Sequence, residues 1–283
     1  MKQILISNID PNWPNIEIEY DRPVKLYVDC WDDYDFSPEI FKILYLREPN
    51  DVSNLVNTTI DNQNMFDLIL TTSQKLLDEC PHAKLFEFGT TWIWNYKFPE
   101  KKFQISSLFG FKDFTEGHKL RRKVYYKQKK ITNPTDFYIS KNGDPSNKEI
   151  LFNPQFHIRI ENVFGNKTML DPSNKEELFN SQFHICIENT KQDYFFSEKV
   201  MDCFRTKTVP IFWGCPKIGN YFNVDGMIIV NSLEEIIESC NGIDANTYET
   251  MLPFIEENYK LSEKYVEIPL RMKALLDKTL SSL

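Results

Sequence analysis

Apolar positions along the chain fall into short runs separated by Pro, Gly, Asn and Asp, and most of the runs are of strand length. Residues 24–30 (VKLYVDC) set Val24, Leu26 and Val28 against Lys25 and Tyr27, the alternation of a strand with one wet face. Residues 2–7, 41–50 (FKILYLREPN, an apolar run), 66–72 (FDLILTT) and 83–93 (AKLFEFGTTWI) are predicted as further strands. A helix is predicted over 74–80 between the last two. Pro49 stops the 41–50 run and leaves Glu48 in a charged turn past its carboxyl end. Strands alternating with short helices over the first hundred residues predict a Rossmann-like unit. The basic, polar stretch 95–102 (NYKFPEKK) reads as a link to a second unit, which divides the chain into 1–100 and 101–283.

The second unit opens with a strand over 104–111. A helix follows, capped at Thr115 or Glu116, with Leu120 and Val124 inward and a run of cations that includes Arg121 and Arg122. Its centre of gravity is 183–216. FHICI (183–187) is a buried strand; Ser197 caps a helix whose apolar positions Val200, Met201, Cys203 and Phe204 share one face; VPIFW (209–213) is the next strand, ended by Gly214-Cys215-Pro216. Strand, loop, helix, strand is a parallel β-α-β unit, and such sheets gather ligands at the carboxyl ends of their strands beside helix N-termini. Glu188, Asn189, Glu198 and Lys199 lie at that end, the last two expected on the exposed start of their helix. Residues 227–232 predict a further strand, 233–240 a helix, and the rest is mostly helical.

Self-comparison shows a tandem duplication of 27 residues, 144–170 and 171–197. DPSNKEILFNPQFHIRIEN recurs as DPSNKEELFNSQFHICIEN, with Ile150/Glu177, Pro154/Ser181 and Arg159/Cys186 as the differences. The second copy runs into the loop with Ser197-Glu198-Lys199 and the first does not. Arg159 and Pro154 place the first copy at a sheet edge or on the surface.

ENTKQDYFFSEK followed by VPIFWGCP resembles the donor-binding signature of the alpha-1,3-fucosyltransferases (glycosyltransferase family 10): Phe-x-x-x-x-Glu-Asn-Ser/Thr, then Thr/Ser-Glu-Lys, then Val/Ile-Pro-Ile/Val-x-x-Gly-x-Pro. The spacing from Glu188 to Lys199 matches without a gap. The family's tyrosine three residues before the motif glutamate is Phe195 here, with Tyr194 beside it. The resemblance is strong over 183–222, fair over 104–126 and loose before that. It implies two Rossmann-like domains facing across a cleft (GT-B), the first on the acceptor side and the second on the donor side. The implied reaction is inverting transfer of fucose from GDP-fucose to a glycan hydroxyl, with no metal or other cofactor. Glu48 would take the acceptor proton. Arg121, in LRRKVYY, with Arg122 second best, would reach the diphosphate together with Lys199. Asn189, Phe195 and Glu198 would complete the donor site, the glutamate facing hydroxyls of the ribose or fucose.

Composition narrows the class further. A net charge of −8 excludes a broad polyanion-binding face, so no nucleic-acid partner is expected. There is no apolar run of roughly 18 residues for a membrane span. The six cysteines lack CxxC spacing and read as reduced thiols; the chain thus resembles soluble microbial or viral members and is expected in the cytoplasm. No DxD is suitably placed, and His82, His118, His157 and His184 show no ligand spacing. There is no P-loop, GxGxxG or GxSxG. Glu188 and Glu198 stand ten apart, not the eight of the retaining two-domain transferases. Two other readings keep the fold: a degenerate protein that binds a nucleotide or glycan without turnover, and an inverting transferase for another nucleotide sugar.

Overall fold

The computed structural model describes residues 2–5, 16–110, 112–140, 167–169 and 172–281. β1 (Lys2–Leu5) and β2 (Ile16–Glu19) pair antiparallel. The covered runs that follow build a four-stranded parallel sheet in the order β3 (Val24–Val28), β4 (Phe41–Leu46), β5 (Leu68–Thr71), β6 (Ala83–Leu85). All of β4 and β5 is buried, which is why those two stretches are apolar without alternation. The helices α1 (Asn50–Ser53), α2 (Val56–Asp61) and α3 (Gln74–Glu79) make the crossovers. Val56 and Leu76 pack on one face of the sheet with Tyr27, Leu44 and Ile69.

The second sheet is wholly parallel, in the order β9 (Lys167–Met169), β8 (Thr135–Ser140), β7 (Lys102–Phe109), β10 (Ser181–Ile187), β11 (Val209–Trp213), β12 (Ile228–Ile229). The chain works outward from the central β7 to β9, then returns to the other side of β7 at β10. That is the doubly wound order, and the crevice outside β7 and β10 is its switch point. The helices are α4 (Glu116–Lys127), α5 (Glu198–Arg205), α6 (Leu233–Gly242), α7 (Ala245–Val266) and α8 (Ile268–Leu280). In α5, Val200, Met201, Cys203 and Phe204 are fully buried, as their common face requires. The last helix leaves the second sheet: Ile268, Met272, Leu276 and Leu280 of α8 pack with Leu26, Val28, Ile43 and Leu68 on the first.

Several elements differ from the sequence expectation. The strand expected over 83–93 ends at Leu85, because side chains take over its backbone partners. The Arg271 guanidinium donates to the carbonyls of Glu87 and Gly89 at 2.9 and 3.0 Å, and Trp92 N donates to Asp202 Oδ1 at 2.9 Å. The stretch 95–102 is docked and not free: Tyr96 Oη donates to Phe179 O at 2.6 Å, and Lys101 Nζ to Thr208 Oγ1 at 2.8 Å. Burial pushes the Lys101 ammonium down to about 7. β2 and β8 carry too few consecutive apolar residues to stand out. Of the first copy of the duplication only Lys167–Met169 is described, as the edge strand β9; the rest of that copy, with His157, and Phe111 lie outside the described residues. The second copy contributes a 3-10 segment, Pro172–Asn180, and the fully buried β10. The Cys186 side chain is buried inside that strand, and all six cysteines are free thiols.

The loop after β10 joins the two sheets at their carboxyl ends. Thr190 Oγ1 donates to Asp51 Oδ2 at 2.6 Å and Gln192 Nε2 to Thr72 Oγ1 at 2.7 Å. Deeper, Lys175 Nζ pairs with Asp202 Oδ2 at 2.6 Å, and Thr91 Oγ1 donates to Asp202 Oδ1 at 2.7 Å. Asp202 is buried, and a buried carboxylate needs this many partners to remain in place. Among the described residues no helix is long and apolar enough to cross a membrane.

Candidate active site

Three backbone devices converge on the switch-point crevice. The first is the N-terminus of α4. Thr115 caps it, accepting from His118 N at 3.2 Å, while the His118 imidazole, held down to about 4 by burial and the nearby Arg121, sits 2.7 Å from Thr115 Oγ1. Gly117 N donates to Asn189 O at 2.9 Å. A Cβ on Gly117 would stand 1.8 Å from Glu188 O, so only glycine lets the helix lie against the loop after β10.

The second device is the start of α5. Glu188 ends β10 fully buried, and both its oxygens are used: Ser197 N donates to Oε1 at 2.9 Å and Ser197 Oγ to Oε2 at 2.7 Å. Glu188 therefore pins the first turn of α5 to the end of the central strand. Burial raises its carboxyl above the usual range, with Lys199 Nζ 3.8 Å away pulling against it. Lys199 Nζ lies 3.0 Å from Glu198 Oε1. Burial alone would raise Glu198, but Lys199 and Lys175 outweigh it and hold the carboxyl down to about 2. Burial would lower Lys199, and Glu198 and Glu188 reverse that, so its ammonium is raised. Glu198 is only 8% exposed. The expectation of a solvent-exposed helix start is corrected for this residue: its carboxylate is buried and held by Lys199, with Lys175 and Ser197 also acting on it.

The third device is the turn after β4. Glu48 sits there half-buried, its carboxyl raised by burial and by Asp29 and Glu198 nearby, against the pull of Arg47 and Lys199. Lys199 and Glu198, at the start of α5, are among the charges that act on Glu48.

Arg121 fills the space between these devices. Its Nη2 donates to Asn189 Oδ1 at 2.5 Å, and its Nε is buried with no hydrogen-bond partner. A guanidinium N–H left dry and unpaired is costly. Here it belongs to a fork whose charge is compensated by Glu188 and Glu198. Arg122 instead forms an ion pair with Asp113 at 2.5 Å.

The structure therefore brings together Glu48, Arg121, Asn189, Glu198 and Lys199. Phe195 is the exception. Its ring is 1% exposed and stacks on Phe88, which follows β6, with centroids 6.3 Å apart and planes at 7°. The ring is a buried packing contact in this structure, as a ring without a hydroxyl gains most by leaving water. The hydroxyl of the neighbouring Tyr194 accepts from Lys217 Nζ at 3.0 Å. Among the described residues there is no group of His, Cys, Asp and Glu that could hold a metal ion. The sequence pattern did not mark Asp29, Arg47, Gly117, Lys175 or Asp202. The glycine is the one with a signal, standing at the second position of a capped helix where a good helix former is the norm.

No family model matches the chain, and no curated protein matches it in sequence. Solved structures are similar in fold. An alpha1,3-fucosyltransferase with GDP has a TM-score of 0.54 at 15% identity, covering 97% of this chain and 80% of that one. The Anabaena protein Alr3699/HepE, in complex with UDP-glucose, has a TM-score of 0.64 at 10% identity, covering 92% and 79%. The pneumococcal O-GlcNAc transferase GtfA, in complex with UDP and GlcNAc, has 0.56 at 12%, covering 92% and 56%. The fold is the GT-B arrangement of two Rossmann-like units across a cleft.

Proposed function

We propose that this chain is an inverting, metal-independent glycosyltransferase that moves fucose from GDP-fucose to a hydroxyl of a glycan. The observation that carries the reading is the loop after β10: it bonds to Asp51 and Thr72 at the carboxyl end of the first sheet, and so brings the turn of Glu48 to the same crevice as the Asn189–Arg121 pair and the Glu198–Lys199 start of α5. Such a transfer needs a base on the acceptor side and positive charge on the leaving diphosphate, in a site that keeps water out. Arg121 and Lys199 take the diphosphate, the arginine through its guanidinium fork. Glu198, ionised at any working pH, accepts from sugar hydroxyls. Asn189 holds Arg121 in place and offers its amide to the donor. Glu48 removes the acceptor proton as the hydroxyl attacks the anomeric carbon from the face opposite the diphosphate.

Two features support fucose and guanine over other donors: the match of ENT and SEK at full spacing, and the fold shared with a fucosyltransferase that binds GDP. Neighbours of the same fold carry UDP or UDP-glucose, so the test is a thermal-shift screen of GDP, GDP-fucose, UDP and UDP-glucose. A donor at about 100 times its dissociation constant stabilises by about 2.7 kcal/mol. The expected result is a shift with the guanine nucleotides alone. A shift with the uridine pair alone would replace GDP-fucose as donor while keeping the chemistry. Transfer to a glycan, as against binding alone, separates an enzyme from a degenerate binder.

Lys199→Ala is expected to weaken GDP binding about tenfold, the scale of one charge-assisted contact. It also leaves Glu188 and Glu198 facing each other without their shared cation, which should cost about 2 kcal/mol of stability. Titration calorimetry and denaturant melts read the two effects separately. GDP affinity equal to wild type would remove Lys199 from the donor site.

A further inference from the structure

The turn that carries Glu48 is held by a residue from another strand. Asp29 follows β3 with φ of 52°, a left-handed conformation that aspartate tolerates at some cost. The strain has a visible return. Asp29 N donates to Tyr45 O at 3.0 Å. Asp29 Oδ1 accepts from Arg47 N at 2.7 Å and from Glu48 N at 3.1 Å, and Oδ2 accepts from Arg47 Nε at 2.8 Å. Its side chain is 10% exposed, so both oxygens are committed to the Arg47-Glu48 turn and little of the carboxylate meets water. The Arg47 guanidinium then lies over the Phe88 ring, 5.6 Å from its centroid. Phe88 stacks on Phe195, which belongs to the loop between Asn189 and Glu198.

We propose that Asp29 and Arg47 are a positioning pair: they fix the backbone of Glu48 for proton abstraction and, through the stacked rings of Phe88 and Phe195, hold it in register with the donor loop. The inference rests on Glu48 being the base. It gives Phe195 a use that an open donor contact would not, since a tyrosine hydroxyl is unnecessary in a buried ring stacked on Phe88. It also accounts for an aspartate in a left-handed position, where its side chain caps two successive N–H groups that would otherwise lack partners at the end of β4. The charged groups around Glu48 are Asp29 and Arg47 from the first unit and Glu198 and Lys199 from the second. The pair therefore acts on Glu48 in two ways, by holding its main chain and by the opposed charges of its two members.

The test uses the full chain with Asp29→Asn, Arg47→Gln and Glu48→Gln, reading kcat, KM, GDP-fucose affinity and the pH profile of transfer. Asp29→Asn should lower kcat about tenfold or more, the scale of a displaced reacting group, with donor affinity within about twofold of wild type. Removing its negative charge should move the acid limb of the profile to lower pH. Arg47→Gln should also lower kcat, but removing its positive charge should move the acid limb to higher pH. A merely structural role would not give shifts of opposite sign. If Asp29→Asn does not fold, the partly exposed Arg47→Gln decides by its upward shift alone. Unchanged kcat and acid limb in these variants, with Glu48→Gln inactive, would overturn the positioning pair and leave the base in place. Transfer persisting in Glu48→Gln would overturn the base reading and this inference with it.

Discussion

Glu48→Gln should lose transfer by about 10²- to 10⁴-fold while binding GDP-fucose as wild type does. That range is what a general base contributes, equivalent to about 3–5 kcal/mol in the barrier. The amide keeps the shape of the carboxyl and its place in a turn whose backbone is bonded to Asp29, so folding should be preserved. In wild type the base works only when ionised. Burial raises its carboxyl above the ordinary glutamate value, so activity should fall as the pH is lowered through a point above 4.5, and residual activity of the variant should lack that limb. Kinetics of transfer across a pH series, beside calorimetric donor binding, measure both. Ordinary turnover in the variant would move the base elsewhere. Glu87 lies 3.7 Å from Arg271 and Asp113 is paired with Arg122, so neither is a free replacement.

Gly117→Ala should be the most damaging substitution of a single methyl in the chain. The added Cβ would meet Glu188 O at 1.8 Å and Asn189 O at 2.8 Å. Both are backbone atoms at the end of the central strand and cannot turn aside as a side chain would. Helix α4 and the loop must separate, which breaks the Gly117 N to Asn189 O bond and draws Arg121 away from Asn189. A cost of about 3 kcal/mol or more is expected, together with loss of GDP binding in whatever protein remains folded. Gly110→Ala is the control: a Cβ there meets nothing within 4 Å, so stability and affinity should stay near wild type. Denaturant melts and GDP titrations on the pair give the answer. Equal behaviour of the two variants would show that α4 and the loop can part at little cost.

The parts of the fold legible in the sequence were those with one dominant local signal. β4, β5, β10 and β11 are buried along their whole length and so read as continuous apolar runs. α5 was visible because its cap, its charged first turn and its apolar face agree. The stretch after Leu85 misled because its apolar residues are core, yet their backbone partners, Arg271 and Asp202, come from 184 and 110 positions away; no local pattern records that. The site divides in the same way. Glu198 and Lys199 carry a helix-start pattern, and Glu48 stands at the end of a strand. Asp29 and Gly117 act through contacts made only by the folded chain, one with the turn after the next strand and one with a loop some seventy residues on. Phe195 was read as a ligand contact from its place in a motif, and only its neighbour Phe88 shows that the ring is used up.

The return of α8 to the first sheet bears on how the chain is made. The first sheet is complete in sequence at Leu85, but the helix that covers one of its faces begins at Ile268. At about 5–20 residues per second a ribosome would take roughly ten to forty seconds to supply that cover. For that interval Leu26, Ile43 and Leu68 have no partner on that face from the chain's end, so the nascent first unit presents an apolar sheet to its surroundings. Contacts of such long sequence separation are slow to form. Synthesis rate and chaperone supply, more than the stability of the finished protein, should therefore govern how much of this chain reaches its native state. A stop codon that removes only the last helix should strand the product at that stage.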